Sequence, residues 1–250
     1  VNKIGILGGI AWPSTVEYYA GLCRLAERRH ADMGLPGPAR MPEMAIEALD
    51  LARATALLGH DGDETSWLAF DEYHRAGLRR LERAGAAFAV IACNTAHHRL
   101  DRITRDMDMP VISIIDVAAE ACLRLGVNRL LILGTRTVMT SNPFRNAFRQ
   151  RGIDACGPPH PHQVRSILST IEALEHCCTR GAADRIREVV AGMPENGKPG
   201  STAAYLGCTE LPLAFGANRT DEVFERDGVR YINSTALHVR AAFDCAMESP

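Results

Sequence analysis

The chain repeats one short α/β pattern, and this repetition constrains the fold more than anything else in the sequence. "IGILGGIAWPST" at 4–15 returns as "LLILGTRTVMTS" at 130–141, with Gly8 against Gly134. "FAVIACNTAH" at 88–97 returns as "AAYLGCTELP" at 203–212, with Cys93 against Cys208. "PVISIIDVAA" at 110–119 returns as "VRYINSTALH" at 229–238. The blocks keep their order, and their offsets of 126, 115 and about 118 residues come close to halving the 250-residue chain. Self-similarity at a fixed spacing implies duplicated structural units. Buried apolar runs joined through amphipathic helices make each unit a mainly parallel sheet with helices on both faces.

The runs predict strands at 3–8, 43–48, 88–93, 110–114, 129–133, 202–207 and 229–232. Helical periodicity falls at 15–31, 64–84, 96–107, 116–125, 143–151, 163–180, 182–192 and 234–247. Gly85, Gly126, Gly152 and Gly181 follow helix ends, where a left-handed residue commonly stops the helix. The expected division is a first domain of 1–115, with the last helix, 234–250, packed back onto it, and a second domain of 116–233. In open α/β sheets ligands sit beyond the carboxyl ends of the strands. Two such halves facing each other put Cys93 and Cys208 on opposite walls of one cleft.

Composition removes several functions. The formal net charge is −2, which offers no basic footprint for nucleic acid. No apolar run reaches membrane-spanning length, and Val1–Ile4 leads straight into a predicted strand with no signal-peptide pattern. A cytoplasmic location with reduced thiols is therefore the expectation for the eight cysteines. Cys23, Cys122 and Cys245 lie in helical patterns and read as small core residues. His176-Cys177-Cys178 lacks the usual spacing of zinc ligands. Of the 28 basic residues only Lys3 and Lys198 are lysines, one opening a strand and one in the turn-rich "PENGKPG". Neither suits the buried Schiff-base role that pyridoxal phosphate requires.

A cysteine where a helix begins feels the positive end of the helix dipole, which favours the thiolate. Asn94 and Thr95 follow Cys93, and Thr209 follows Cys208. Their side chains and backbone N–H groups can hold an anion at the helix start. A carboxylate held there has its α-carbon between two sulfurs. That arrangement suits racemisation, in which one thiolate removes the α-proton and the opposite thiol supplies another. Aligned donors stabilise the enediolate-like charge that develops.

Together, "ILGGIAWPST", "CNTAH", "LGT" and "GCTEL" resemble the aspartate/glutamate racemase family, in particular its aspartate racemase-like branch, from residue 4 to about 240. The resemblance implies two pseudo-symmetric Rossmann-like domains, a site in the cleft between them and a cofactor-independent isomerase working on a small amino acid, aspartate or glutamate first. It also implies a homodimer, no metal, and Cys93 and Cys208 as the two catalytic bases. Asn94, Thr95 and Thr209 match positions that hold the α-carboxylate and amino group. Thr135 matches a position beside the cleft, and Ser14 with Thr15 the first loop, where a helix-capping role competes. Trp12 lines the cleft mouth or packs there. His97 supports the motif, His238 matches a family histidine, and Asp116 reads as an N-cap.

The chain also departs from the family pattern. Aspartate-specific members resemble one another in an Arg near the second strand and a Lys in the second half, which hold the distal carboxylate. Here Arg53 stands near the second strand, and "HPHQVRSILSTI" carries no Lys, leaving Arg165 or His162 as substitutes. The family's Asp-Thr near the last strand is Asn233-Ser234. Other readings of the same residues are a racemase for a non-acidic amino acid, a maleate isomerase- or arylmalonate decarboxylase-like enzyme, a non-catalytic binding protein, and a zinc hydrolase using Cys93, His97 and His98.

Overall fold

The first apolar run, Ile4–Gly8, is buried along its whole length as β1 in a computed structural model that describes residues 2–60, 62–191 and 201–247. It belongs to the first of two units, Val1–Ser113 with His238–Pro250; the second is Ile114–Leu237. After β1 come α1 (Trp12–Asp32), β2 (Met44–Ala48), α2 (Leu51–Ala56), a 3-10 turn at Glu64–Trp67, α3 (Leu68–Arg83) and β3 (Phe88–Ile91). Two four-residue helices, α4 (Asn94–His97) and α5 (Leu100–Ile103), follow. The sheet is parallel in the order β2-β1-β3, with Ile6 paired to Ile46 and Val90. The chain thus steps outward from β1 to β2 and returns across β1 to β3. β1 and β3 are buried on both faces, whereas the edge strand β2 is partly exposed.

Three expectations change here. The first helix starts at Trp12, not at residue 15. The helix expected over 96–107 is broken into α4 and α5 by a turn at His98-Arg99. The strand expected at 110–114 shrinks to one parallel bridge, Ala89 to Val111, flanked by Ala89 N donating to Pro110 O and Ile112 N to Ala89 O. Pro110 has no N–H to extend the ladder backwards, and the chain turns helical at Ile114, which ends it forwards.

The second unit runs α6 (Ile114–Arg124), β4 (Arg129–Gly134), α7 (Arg136–Thr140), α8 (Asn142–Arg149), β5 (Asp154–Cys156), α9 (Pro161–Glu175), α10 (Ala182–Val190) and β6 (Thr202–Gly207). A 3-10 segment at Leu211–Thr220, β7 (Val223–Arg226), β8 (Val229–Asn233) and α11 (Ser234–Met247) complete it, with α11 belonging to the first unit from His238 on. The order is β5-β4-β6-β8-β7, parallel except for β7. The triplet β5-β4-β6 repeats β2-β1-β3, which is how the sequence repeat appears in three dimensions. β5 and β7 were not expected from the sequence. α9 stops at Glu175, short of residue 180, where Cys177 takes a left-handed φ of 58°. Asp116 is no N-cap: it lies in the first turn of α6 and pairs with Arg151 at 2.7 Å. Lys198 and residue 192 of the expected helix lie outside the described residues.

Each core includes the helix that follows the other unit's last sheet segment. Ile114, Ala118 and Cys122 of α6 pack with Leu130, Ile132 and Tyr205 of the second unit. Val239, Ala242 and Phe243 of α11 pack with Ile4, Tyr18 and Phe88 of the first. Cys122 is fully buried, and desolvation pushes its thiol up to about 12, as befits a core residue.

His74, on α3, is also fully buried. Its Nδ1–H donates to Phe70 O at 2.8 Å, and its ring lies 4.0 Å from that of Phe70. Burial drives its pKa down to about 4, so the folded state keeps it neutral. The unfolded chain binds a proton near pH 6.5, so the stability from neutral burial is complete above that and is lost as pH falls towards 4. The thermal midpoint should therefore drop between pH 6.5 and 4. His74→Phe should flatten that slope in a pH series of melting curves.

Candidate active site

The strand order reverses beside β1 in the first unit and beside β4 in the second. At such points the outgoing crossovers leave a crevice over adjacent carboxyl ends. In the first unit those ends belong to β1 and β3, where Ala92 N donates to Leu7 O at 2.9 Å. In the second they belong to β4 and β6, where Gly134 pairs with Gly207. Cys93 follows β3 closely and Cys208 follows β6 directly. Each unit therefore presents one thiol at its own switch point.

Cys93 is the N-cap of α4, with extended backbone at φ −160°, ψ 116°. The residue is partly buried. Asn94, Thr95 and His97, on the single turn that follows, are buried. His97 Nδ1–H donates to Cys93 O at 2.9 Å, which closes the turn. Thr15 Oγ1 accepts from Gly9 N at 2.8 Å, tying α1 to the loop after β1. Thr15 thus stabilises that loop from inside the helix, while Ser14 beside it is buried.

Behind this edge stands a second histidine. His238 is fully buried; its Nε2–H donates to Ile112 O at 2.9 Å, and its Nδ1 accepts from Tyr18 Oη at 2.7 Å. These two bonds assign the tautomer. Desolvation, with His97 at 5.5 Å ring to ring adding to it, pushes the His238 pKa down to about 3. His238 is thus a neutral bridge from α1 to the residues beside β3.

In the second unit Cys208 is buried and its Sγ donates to Glu210 Oε2 at 3.0 Å. Thr209 Oγ1 lies 3.2 Å from both oxygens of the same carboxylate. Thr135 follows β4 as the N-cap of α7 and accepts from Val138 N at 3.4 Å. Asn233 closes β8, its Oδ1 accepting from Ala236 N at 3.1 Å to cap α11. Its Nδ2 donates to Arg219 O at 3.0 Å, and Ser234 Oγ donates to Leu206 O at 2.6 Å, tying the start of α11 to β6.

The remaining expected residues are more peripheral. Trp12 is 60% exposed at the start of α1. Arg53 lies after the carboxyl end of β2, exposed, with its guanidinium 4.6 Å over the Tyr73 ring. Arg165 and His162 are exposed on the first turns of α9, and His162 stacks on His160. Lys3 sits at the opposite, amino end of β1 and donates to Ala84 O at 2.8 Å. Among the described residues no group of three or more His, Cys, Asp or Glu side chains is placed to hold a metal ion. Among them, too, no helix is long and apolar enough to cross a membrane.

Two groups of residues escaped the sequence reading. One is Glu210. The other is an ion-pair cluster behind the Cys93 turn. Arg99 is buried, bidentate on Asp71 of α3 at 2.9 and 3.1 Å and bonded to Glu64 at 2.9 and 3.0 Å. Its guanidinium also lies 5.5 Å from the Trp67 ring centroid. Together these contacts fix the turn between α4 and α5 to α3. Charged residues 28 and 35 positions apart give no signal in a linear sequence.

The family model described as Asp/Glu/Hydantoin racemase matches residues 7–242. An aspartate racemase homologue from Pyrococcus horikoshii OT3 has a crystal structure that superposes with a TM-score of 0.77, at 26% identity over 99% of this chain and 100% of that one. A glutamate racemase from Koribacter versatilis (strain Ellin345) is 28% identical over 135 residues, 53% of this chain and 45% of the relative. A broad-specificity amino-acid racemase from Bacillus subtilis (strain 168) is 24% identical over 110 residues, 42% of this chain and 48% of the relative. The matches thus span about half the length of these curated relatives.

Asp71→Ala leaves the Arg99 guanidinium buried without its bidentate partner. Glu64 still faces the guanidinium, so the cost is that of losing charge-assisted hydrogen bonds, about 1.5–3 kcal/mol. A loss of that order in urea unfolding is expected. A change under about 1 kcal/mol, the range of surface pairs, would show that the cluster does not anchor the turn.

Proposed function

The chain belongs to the Asp/Glu/hydantoin racemase family, and from that premise we propose that it is a cofactor-independent racemase interconverting the L and D forms of a small acidic amino acid through two thiols. The observation that carries the reading is the matched placement of Cys93 and Cys208, each following the strand beside the switch point of its own sheet. A scaffold has little reason to repeat a thiol there unless both act on one reaction.

In the proposed reaction the substrate α-carboxylate is held by the donors at the starts of the two following turns, Asn94 and Thr95 on one side and Thr209 on the other. One sulfur, as thiolate, takes the α-hydrogen as a proton: the Cα–H bond breaks, an S–H bond forms, and the electron pair spreads into the carboxylate. Donors aimed at those oxygens stabilise the charge as it develops. The other sulfur gives its proton to the opposite face of the carbon, forming the mirror-image Cα–H bond. The roles reverse for the other enantiomer, and no oxidant or reductant is consumed. Arg53 is the candidate for the distal carboxylate, since it lies beyond the carboxyl end of β2 on the same sheet as the strand preceding Cys93.

Incubation with each L-amino acid in deuterated water, followed by chiral separation and mass analysis, reads substrate and mechanism together. The expected product is the D enantiomer of aspartate or glutamate carrying one α-deuterium. Cys93→Ala and Cys208→Ala should each reduce racemisation by about 10² to 10⁴, the usual worth of a positioned acid or base. If both single variants racemise at the wild-type rate, the two-thiol assignment is wrong.

A further inference from the structure

The acid two places beyond the second thiol takes no part in the reaction as drawn above. Glu210 is 2% exposed, and its carboxylate receives the Cys208 S–H at 3.0 Å with the Thr209 hydroxyl beside it. The repeat sharpens the point: with Cys93 matched to Cys208, the position matched to Glu210 is Thr95. One thiol has a carboxylate at hand where its counterpart's motif has a hydroxyl.

Resting on the racemase reading, we propose that Glu210 is the positioning residue through which Cys208 exchanges its proton. The two groups share one proton, whose place on sulfur or on oxygen makes Cys208 acid or base. With the proton on sulfur, Cys208 is a thiol ready to protonate the substrate carbon. Transfer to Glu210 breaks the S–H bond and forms an O–H bond on Oε2, leaving a thiolate beside a neutral carboxylic acid. The charge of the pair is the same in both forms. That constancy matters because two adjacent buried anions are strongly disfavoured. Once the thiol has given its proton to carbon, the pair would hold two anions, and it is restored by one proton arriving at the carboxylate. Glu175 of α9, partly exposed and within electrostatic reach of Glu210, is the neighbouring acid on that side. Its own carboxyl is raised by burial first and then by the Glu210 charge.

The test is alkylation of Cys208 by iodoacetamide across pH, followed by peptide mass spectrometry. A thiolate sharing a proton with a carboxyl group titrates as a coupled pair. The wild type should therefore show two steps in reactivity, and Glu210→Gln only one. Glu210→Asp, which keeps the carboxyl, should keep two steps and serves if the Gln variant folds poorly. Glu175→Gln, run alongside, separates that neighbour's titration from that of Glu210. Racemisation by Glu210→Gln should lose about tenfold or more in kcat with KM little changed, since the carboxylate acts on the sulfur and not on the substrate. A one-step profile in the wild type, two steps in Glu210→Gln, or an unchanged kcat in that variant overturns the proposal. Alkylation needs no turnover. A two-step profile in a chain that racemises nothing therefore defeats the racemase reading alone, while a one-step profile in an active racemase defeats this inference alone.

Discussion

Two glycines facing each other across β4 and β6 decide how closely the carboxyl edge of that sheet is packed. A Cβ on Gly134 would stand 2.6 Å from Gly207 O and 2.7 Å from Val138 Cγ1, and one on Gly207 would stand 2.8 Å from Leu133 O. Any side chain here forces strands or helix apart. The first unit meets the same limit at Gly8, where a Cβ would fall 2.4 Å from Thr15 Oγ1. Because these positions are bare, the helix after each first strand drops close to the sheet, and a threonine hydroxyl caps the backbone there, from Thr15 to Gly9 N and from Thr135 to Val138 N. The next crossover then delivers a cysteine to the neighbouring strand end. The thiols are placed by sheet topology, and the glycines let that topology close up.

This explains why the central strands were legible in the sequence and the edges were not. β1, β3, β4 and β6 are buried on both faces and read as short apolar runs. β5 has three residues and β7 shows an exposed face, so neither gives such a run. A signal for β7 did exist: Asp227 and Gly228 have φ of 52° and 76° and join Arg226 to Val229 across a two-residue hairpin. Asp-Gly is a recognised hairpin turn of that kind. The third repeat block shows the opposite error. Its second copy forms β8 in full, whereas its first, begun by Pro110, keeps only the bridge at Val111. Similar apolar content gave similar expectations, but the first copy enters α6 at Ile114 whereas the second stays extended to Asn233.

Polar burial was the harder part to read. Glu210, Asp71, Arg99, His74 and His238 are all nearly or wholly enclosed, against the usual tendency of such residues to lie at the surface. Each is tolerated because hydrogen-bond partners replace the water it gave up, from distant elements for Arg99, Asp71 and His238 and from its own turn for Glu210 and His74. His238 depends on Tyr18, 220 residues away, and on Ile112 O. The chemistry-bearing motifs were visible because they are local, whereas the Tyr18–His238 and Arg99–Asp71 ties behind the Cys93 turn were not, because their members lie far apart in sequence.

The backbone around the two thiols is duplicated, but the polar setting is not. Cys93 lies on a turn closed by a histidine, and Cys208 lies against a carboxylate. For the proposed reaction this inequality has a defined place to appear. The two enantiomers of an amino acid are equal in free energy in solution, so the equilibrium constant is one. The ratio kcat/KM must then be the same in both directions, whatever surrounds each sulfur. Unequal surroundings are left to act on kcat and KM separately, and on which sulfur holds the proton in the resting enzyme. A carboxylate beside Cys208 favours the thiol there, because a thiolate would add a second anion unless Glu210 took up the proton. On that proposal the resting form is the one in which Cys208 donates, and return after donation depends on a proton reaching the Cys208–Glu210 pair from outside it. In the proposed reaction the duplicated fold supplies the two bases, and the carboxylate beside Cys208 makes their surroundings unequal.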